Sequence, residues 1–254
     1  MSSLGIGNEW IWALATVFFV VAVLYSSVGL GGGSTYTAIL TIIGVDYIMI
    51  PTVSLVLNLI VTFVGMINYW RGGFVKLRLI APFLLTSIPA AYLGGSLHLS
   101  RTVFLWLLLT TLVFVVLRIY FGADLAFKFN LTKRQKLLFA FTLGIILGFV
   151  AGTVGIGGGI YLVPLMIMFS LSSAKEAAAA GAVFIWLNSL SGIIARAQWT
   201  NLVITDAVPL MVLVLLGGFT GSYLGSFRFK PAVIQKTLGV VIIIAIFFIS
   251  RKVI

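Results

Sequence analysis

The sequence predicts an all-α polytopic membrane protein made of two inverted repeats of about five helical segments each, with glycine-broken half-helices. Three observations carry that prediction. Apolar residues make up 61% of the 254 and charged residues 8%. Runs such as Ile11–Tyr25, Phe104–Val116 and Val240–Phe248 hold no charge at all, as bilayer-spanning helices require. The motif V-G-(Leu/Ile)-G-G-G stands at Val28–Gly33 and again at Val154–Gly159, 126 positions later. The match continues beyond it, pairing Ser27 with Thr153, Asn58 with Asn188 and Tyr92-Leu93-Gly94 with Tyr223-Leu224-Gly225. Two matched helix breaks in two matched halves mark a secondary transporter with its site at the breaks.

Taken in order, the first repeat (residues 1–121) should hold spans at about Trp10–Ser27, Tyr47–Trp70, Leu79–Leu97 and Thr102–Tyr120. The second repeat (residues 137–254) should hold them at about Leu137–Thr153, Ala177–Gln198, Asp206–Phe227 and Ala232–Ser250. A shorter segment follows each glycine run, at Ser34–Gly44 and Ile160–Ser170. As helices these are about 16 Å long, roughly half a bilayer core. Residues 122–136, with Lys128, Lys133, Arg134 and Lys136, form a basic cytoplasmic linker. Met1–Asn8 lacks the basic residues that open a signal peptide, so the first span is expected to be retained.

Charge orients the repeats. If each short segment crosses, each half has an odd number of crossings and the copies are inverted. Equivalent loops then carry opposite charge. The stretch Arg71–Arg78 holds Arg71, Lys76 and Arg78, whereas its counterpart Thr200–Thr205 holds none. One loop later the bias reverses, from Arg101 alone to Arg228 and Lys230. By the positive-inside rule both termini then lie outside. A model with re-entrant short segments gives a similar overall total, so it is the loop-by-loop antisymmetry that favours ten crossings. The net charge of +11 sits in these short gaps, which argues against a nucleic-acid partner.

The glycine runs are the candidate site. Consecutive glycines break a helix, and the freed N–H groups are tolerated in a membrane only inside protein or beside a water-filled cavity. A half-helix starting after such a break turns its N-terminal N–H groups and its positive dipole end toward the gap, which suits an anion. The candidate substrate-binding residues are therefore Gly31, Gly32, Gly33, Ser34 and Thr35 in the first copy and Gly157, Gly158, Gly159, Ile160 and Tyr161 in the second. Close helix packing is the alternative reading of the glycines. Asn58 and Asn188, mid-span in equivalent helices, either line the same site or hold two helices together. Ser27 and Thr153 either contact ligand or bond back to their own helices. Arg196, near the end of its span, is either an outer gate for an anion or a snorkelling side chain.

The acidic residues Glu9, Asp46, Asp124, Glu176 and Asp206 all fall near expected helix ends. With no carboxylate deep in a span, proton-relay and cation-pump readings lose support. His98 stands alone, and no cysteine is present, so no metal site and no cofactor are expected. No H-E-x-x-H, buried carboxylate pair or phosphate loop occurs, and the chain does not read as an enzyme.

The two copies of V-G-x-G-G-G, with the continuation Ile160-Tyr161-Leu162-Val163-Pro164-Leu165, resemble the sulfite exporter TauE/SafE family of membrane permeases over essentially the whole chain. The first copy departs from that pattern, with Ala38-Ile39 in place of Pro164-Leu165. The resemblance implies movement of sulfite, an organosulfonate or a related sulfur oxyanion across the cytoplasmic (inner) membrane. Sulfite is itself a weak acid titrating near neutral pH, so coupling to protons can ride on the substrate. The expected partners are thus a small sulfur oxyanion, protons and the lipid bilayer. The alternatives are a sodium-coupled or cation transporter using the same breaks, and a membrane protein with no transport role.

Overall fold

A computed structural model describes residues 8–121, 132–169, 171–200, 207–227 and 231–253. These form helices joined by short turns, with no strand among them. The helices are α1 (Asn8–Ser26), α2 (Gly33–Ile43), α3 (Met49–Arg71), α4 (Leu77–Ser96), α5 (Arg101–Phe121), α6 (Lys133–Val154), α7 (Gly159–Met168), α8 (Ala174–Arg196), α9 (Val208–Phe227) and α10 (Pro231–Val253). A helix stands at each expected span and at both short segments. Six of the described helices are long and apolar enough to cross a bilayer, while α2, α7 and the apolar stretch Trp10–Ser26 are shorter. Most of the linker, together with Asp124, Asp206, Arg228 and Lys230, lies outside the described residues.

Helices of the two halves interleave. The closest packing sets α4 of the first half on α6 of the second, and α1 of the first on α9 of the second. Glycines four residues apart make both seams. In α6, Gly144, Gly148 and Gly152 face the backbone of Phe83, Ser87 and Ala91. In α9, Gly217, Gly221 and Gly225 face that of Phe19, Val23 and Ser27. Without hydrophobic drive between helices in lipid, such small-residue stripes let backbones approach and dispersion contacts accumulate. Rising residue numbers in step show that each of these pairs runs parallel.

The equivalent helices α3 and α8 instead run antiparallel through the centre. Phe63 stacks near Trp186 with ring centroids 6.0 Å apart. Nearer one end, Gly65 lies beside Ala182, and nearer the other, Gly192 lies beside Leu55. Charge then locks one membrane face. Lys76, ahead of α4, pairs with Glu176 in the first turn of α8, and the Lys175 ammonium sits 4.9 Å from the centre of the Phe74 ring. Glu176 also closes a capping box with Ser173, which starts α8. At the opposite face, Lys252 Nζ donates to the carbonyls of Thr41 (2.7 Å) and Ile42 (3.0 Å), capping the C-terminal end of α2.

The seams predict a sign pattern for glycine substitutions. Gly148→Ala and Gly221→Ala push a methyl into the backbone of the facing helix, and each is expected to lower stability by about 1–3 kcal/mol. Gly65→Ala meets Ala182 Cβ at an ordinary 3.8 Å, so its better helix propensity is expected to leave stability unchanged or raised by up to about 1 kcal/mol. Unfolding midpoints of the detergent-solubilised variants check all three.

Candidate functional site

The two glycine runs meet at the middle of α3. α1 ends at Ser26, and the chain turns back so that Tyr36 of α2 stacks on Phe18 of α1 with ring centroids 4.6 Å apart. The N-cap of α2 is Gly32, at φ +90°, and that of α7 is Gly158, at φ +74°. Both are left-handed conformations that a side chain would strain, which fixes why glycine stands at each. The first copy lacks the second copy's proline yet builds the same start, with α2 of 11 residues and α7 of 10.

At the crossing, a Cβ on Gly33 would lie 2.9 Å from the Gly155 carbonyl oxygen and 2.8 Å from that of Ile156. Only glycine permits this approach. α3 supplies the side chains that join the two breaks. Ser54 Oγ lies 3.1 Å from the Gly33 carbonyl oxygen and 2.9 Å from that of Gly155, and Thr37 Oγ1 donates to Ser54 Oγ at 2.9 Å. Asn58 Nδ2 donates to the Gly155 carbonyl at 3.3 Å. Side chains at Gly31 or Gly33 would collide with the Asn58 amide. Asn58 Oδ1 is buried with no hydrogen-bond partner among the described residues.

The helix starts are equally specific. Tyr25 Oη lies 3.0 Å from Ser34 Oγ and 2.7 Å from Thr35 Oγ1, fixing the first turn of α2. Tyr69 Oη donates to the Ser27 carbonyl at 3.0 Å, satisfying a group at the end of α1. The backbone N–H groups of Gly31, Gly32, Gly33 and Ser34, and of Ile156, Gly157, Gly158 and Ile160, have no acceptor among the described residues. Two short helices thus begin at one buried point, with free donors and positive dipole ends on either side of an asparagine.

Not every expected residue joins this cluster. Ser27 Oγ donates back to Leu24 (2.6 Å) and Thr153 Oγ1 to Phe149 (3.0 Å), the helix back-bonding open to both residues. Asn188 Nδ2 donates to Phe184 one turn earlier at 2.8 Å, and its Oδ1 is buried without a partner among the described residues. At the second break, Gly157 and Gly159 lie against Ile185. Tyr161 Oη donates to the Thr111 carbonyl on α5 at 3.0 Å. Ser54 was not singled out from sequence. Its spacing of four residues from Asn58, on one helix face, is the signal that finds it.

Arg196 does not snorkel. It is 3% exposed, because its Nη2 donates to the carbonyls of Gly152 (3.1 Å) and Thr153 (2.8 Å), the last turn of α6. It borders a cavity of about 360 Å³ with Tyr47, Pro51, His98, Thr153 and Trp199. Pro51 touches Gly155, so the cavity ends beside the second break. The residues of the crossing itself are all buried.

An all-helical, multi-pass membrane protein whose two broken helices meet at a buried polar point belongs to the class of membrane transporters. More particularly, the chain belongs to the sulfite exporter TauE/SafE family, whose model matches residues 14–249. It is 32% identical over 236 residues to the "Probable membrane transporter protein y4hK" of Sinorhizobium fredii, covering 91% of this chain and 95% of that one. YjnA of Bacillus subtilis, with the same description, is 23% identical over 89% of this chain and 94% of its own. MJ0441 of Methanocaldococcus jannaschii, again so described, is 30% identical over 71% of this chain and 70% of its own. No solved structure matches the chain.

Ser54→Ala is expected to lower stability by about 1 kcal/mol, since it removes contacts to both breaks at once. Asn58→Ala acts on the same carbonyl of Gly155, so each single variant leaves that acceptor one donor, while the double variant leaves it none and should cost measurably more than the sum. Thermal unfolding of the two single variants and the double variant measures that coupling.

Proposed function

We propose that the protein is a secondary transporter of a small sulfur oxyanion, sulfite or an organosulfonate, working by alternating access around the α2–α7 crossing. One observation carries the reading: the N-termini of α2 and α7 converge on Asn58 with eight backbone N–H groups that have no acceptor among the described residues. Oriented amide donors and positive helix ends bind oxyanions without a buried cation. The family supports the sulfur chemistry, since it is described as a sulfite exporter family.

The binding set proposed is Gly31–Thr35 and Gly157–Tyr161 with Asn58. Ser27, Thr153 and Asn188 adjoin it and need a rotamer change to offer a group to the substrate. Two inverted halves are supported by the antiparallel run of α3 against α8. The pairing of Lys76 with Glu176 supports ten crossings, because re-entrant short segments would put those two residues on opposite membrane faces. Alternating access is supported by an enclosed crossing with a cavity reaching it from one side only among the described pockets. By the positive-inside rule that side, away from Arg71, Lys76, Arg78 and Lys175, is the outer one.

The test is flux of radiolabelled sulfite into proteoliposomes of purified protein. Asn58→Ala is expected to slow flux at least tenfold while eluting from size exclusion like the parent. Undiminished flux would overturn the site. Replacing sodium with choline should change nothing, and a strict need for sodium would favour the cation-coupled alternative. An imposed pH gradient should alter the rate, and indifference to it removes proton linkage.

A further inference from the structure

The outer cavity holds a buried cation that the crossing does not use. Arg196 lies at the end of α8, and its guanidinium caps the carbonyls of Gly152 and Thr153 through Nη2. Its Nε is buried with no hydrogen-bond partner among the described residues. No carboxylate among the described residues pairs with it; the ion pair they contain joins Lys76 to Glu176 in the first turn of α8, at that helix's far end. The C-terminal end of α6 offers only about half an opposing charge. The Trp199 ring, centred 5.3 Å from Cζ, contributes its quadrupole but no charge. A buried charge left this short of compensation is costly unless an anion completes it.

The surroundings are built to hold that guanidinium in place. Trp199 Nε1 donates to the Gly95 carbonyl at 3.2 Å, and the His98 ring rests 4.2 Å from the ring of Trp199. Arg196 and Trp199 face the same cavity of about 360 Å³, which His98 and Thr153 also line. Thr153 is two residues from Gly155, the carbonyl that Ser54 and Asn58 grip.

We propose that Arg196, with Trp199, His98 and Thr153, forms a second anion-binding subsite. It takes a small oxyanion at the mouth of the path, before the crossing does. A planar guanidinium with a donor to spare matches a tetrahedral or pyramidal oxyanion, and the remaining volume exceeds that of such an ion. The subsite rests on the reading of the cargo as an oxyanion, but not on the crossing being the transport site.

The experiment is a sulfite titration of the full-length protein in nanodiscs, followed by tryptophan emission and by unfolding midpoint. Sulfate and phosphate titrations run in parallel to define the class. The parent should give a saturable emission change, which Trp199→Phe abolishes. Arg196→Gln should weaken the apparent Kd at least tenfold, and Arg196→Lys should recover part of the loss. Asn58→Ala should keep the response while losing flux. A parent without a saturable response overturns the subsite, as does Arg196→Gln binding like the parent. Sulfite stabilisation that survives intact in Arg196→Gln, with only the basal midpoint lowered, assigns Arg196 to capping α6 alone and also overturns it. Should Arg196→Gln fail to fold, Arg196→Lys and Trp199→Phe decide: a parental Kd in the first and parental emission in the second overturn it. Loss of binding in Arg196→Gln beside normal flux in Asn58→Ala would instead sink the crossing and spare the subsite.

Discussion

In hydrocarbon, every backbone N–H and C=O that a helix releases must find a partner inside the protein. The two glycine runs release a cluster of them in the middle of a bundle, and the architecture follows from where they are placed. Each run lies against the central pair α3 and α8, shielded from lipid. At the second break the Gly155 carbonyl is taken by both the Ser54 and Asn58 side chains of the first half. Tyr69 takes the carbonyl of Ser27 at the first. Eight N–H donors at the two breaks are left without an acceptor among the described residues. On the proposed reading, those donors and the N-terminal ends of α2 and α7 give the crossing a positive character with no ionised group present.

The seams serve the same end. Glycine stripes on α6 and α9 bring the backbones of α4 and α1 into contact and hold each half's first helix against the other half. The break that follows each first helix is thereby anchored to the opposite repeat. α3 and α8 stay free to run antiparallel through the centre. The halves therefore rock, on the alternating-access reading, as interleaved units sharing one core.

Much of this was legible in the chain. Uncharged runs placed the spans, and the doubled V-G-x-G-G-G placed both breaks and both short helices, because three glycines end a helix whatever packs around them. The opposition of Arg71, Lys76 and Arg78 to an uncharged counterpart loop led to the expectation of inverted copies, with which the pairing of Lys76 and Glu176 is compatible. The glycines spaced by four in α6 and α9 were not singled out from sequence, although that spacing on one helix face is the signal of a packing seam. What one-dimensional pattern could not supply was the choice of partner. Asn58 and Asn188 are equivalent in sequence, yet Asn58 reaches across to Gly155 while Asn188 bonds to Phe184 in its own helix. The difference arises where Gly157 and Gly159 meet the branched side chain of Ile185 rather than an amide. Arg196 likewise reads as an interfacial cation until the end of α6 is seen to lie beside it.

The division between Arg196 and the crossing has a physical logic for transport. A site that must release its ion on the far side has to bind it strongly enough to strip water, yet weakly enough to let go. A guanidinium at the midplane would meet the first need and defeat the second, since a desolvated charge pair is strong and slow to part. Amide donors and helix ends carry fractional charge, and they lose strength quickly as the helices bearing them shift. The full charge belongs at the mouth, in the outer cavity of about 360 Å³, where capture matters more than release. On the proposed two-site reading, Arg196 placed there raises the local anion concentration beside the second break and leaves the central donors weak enough to pass the ion on.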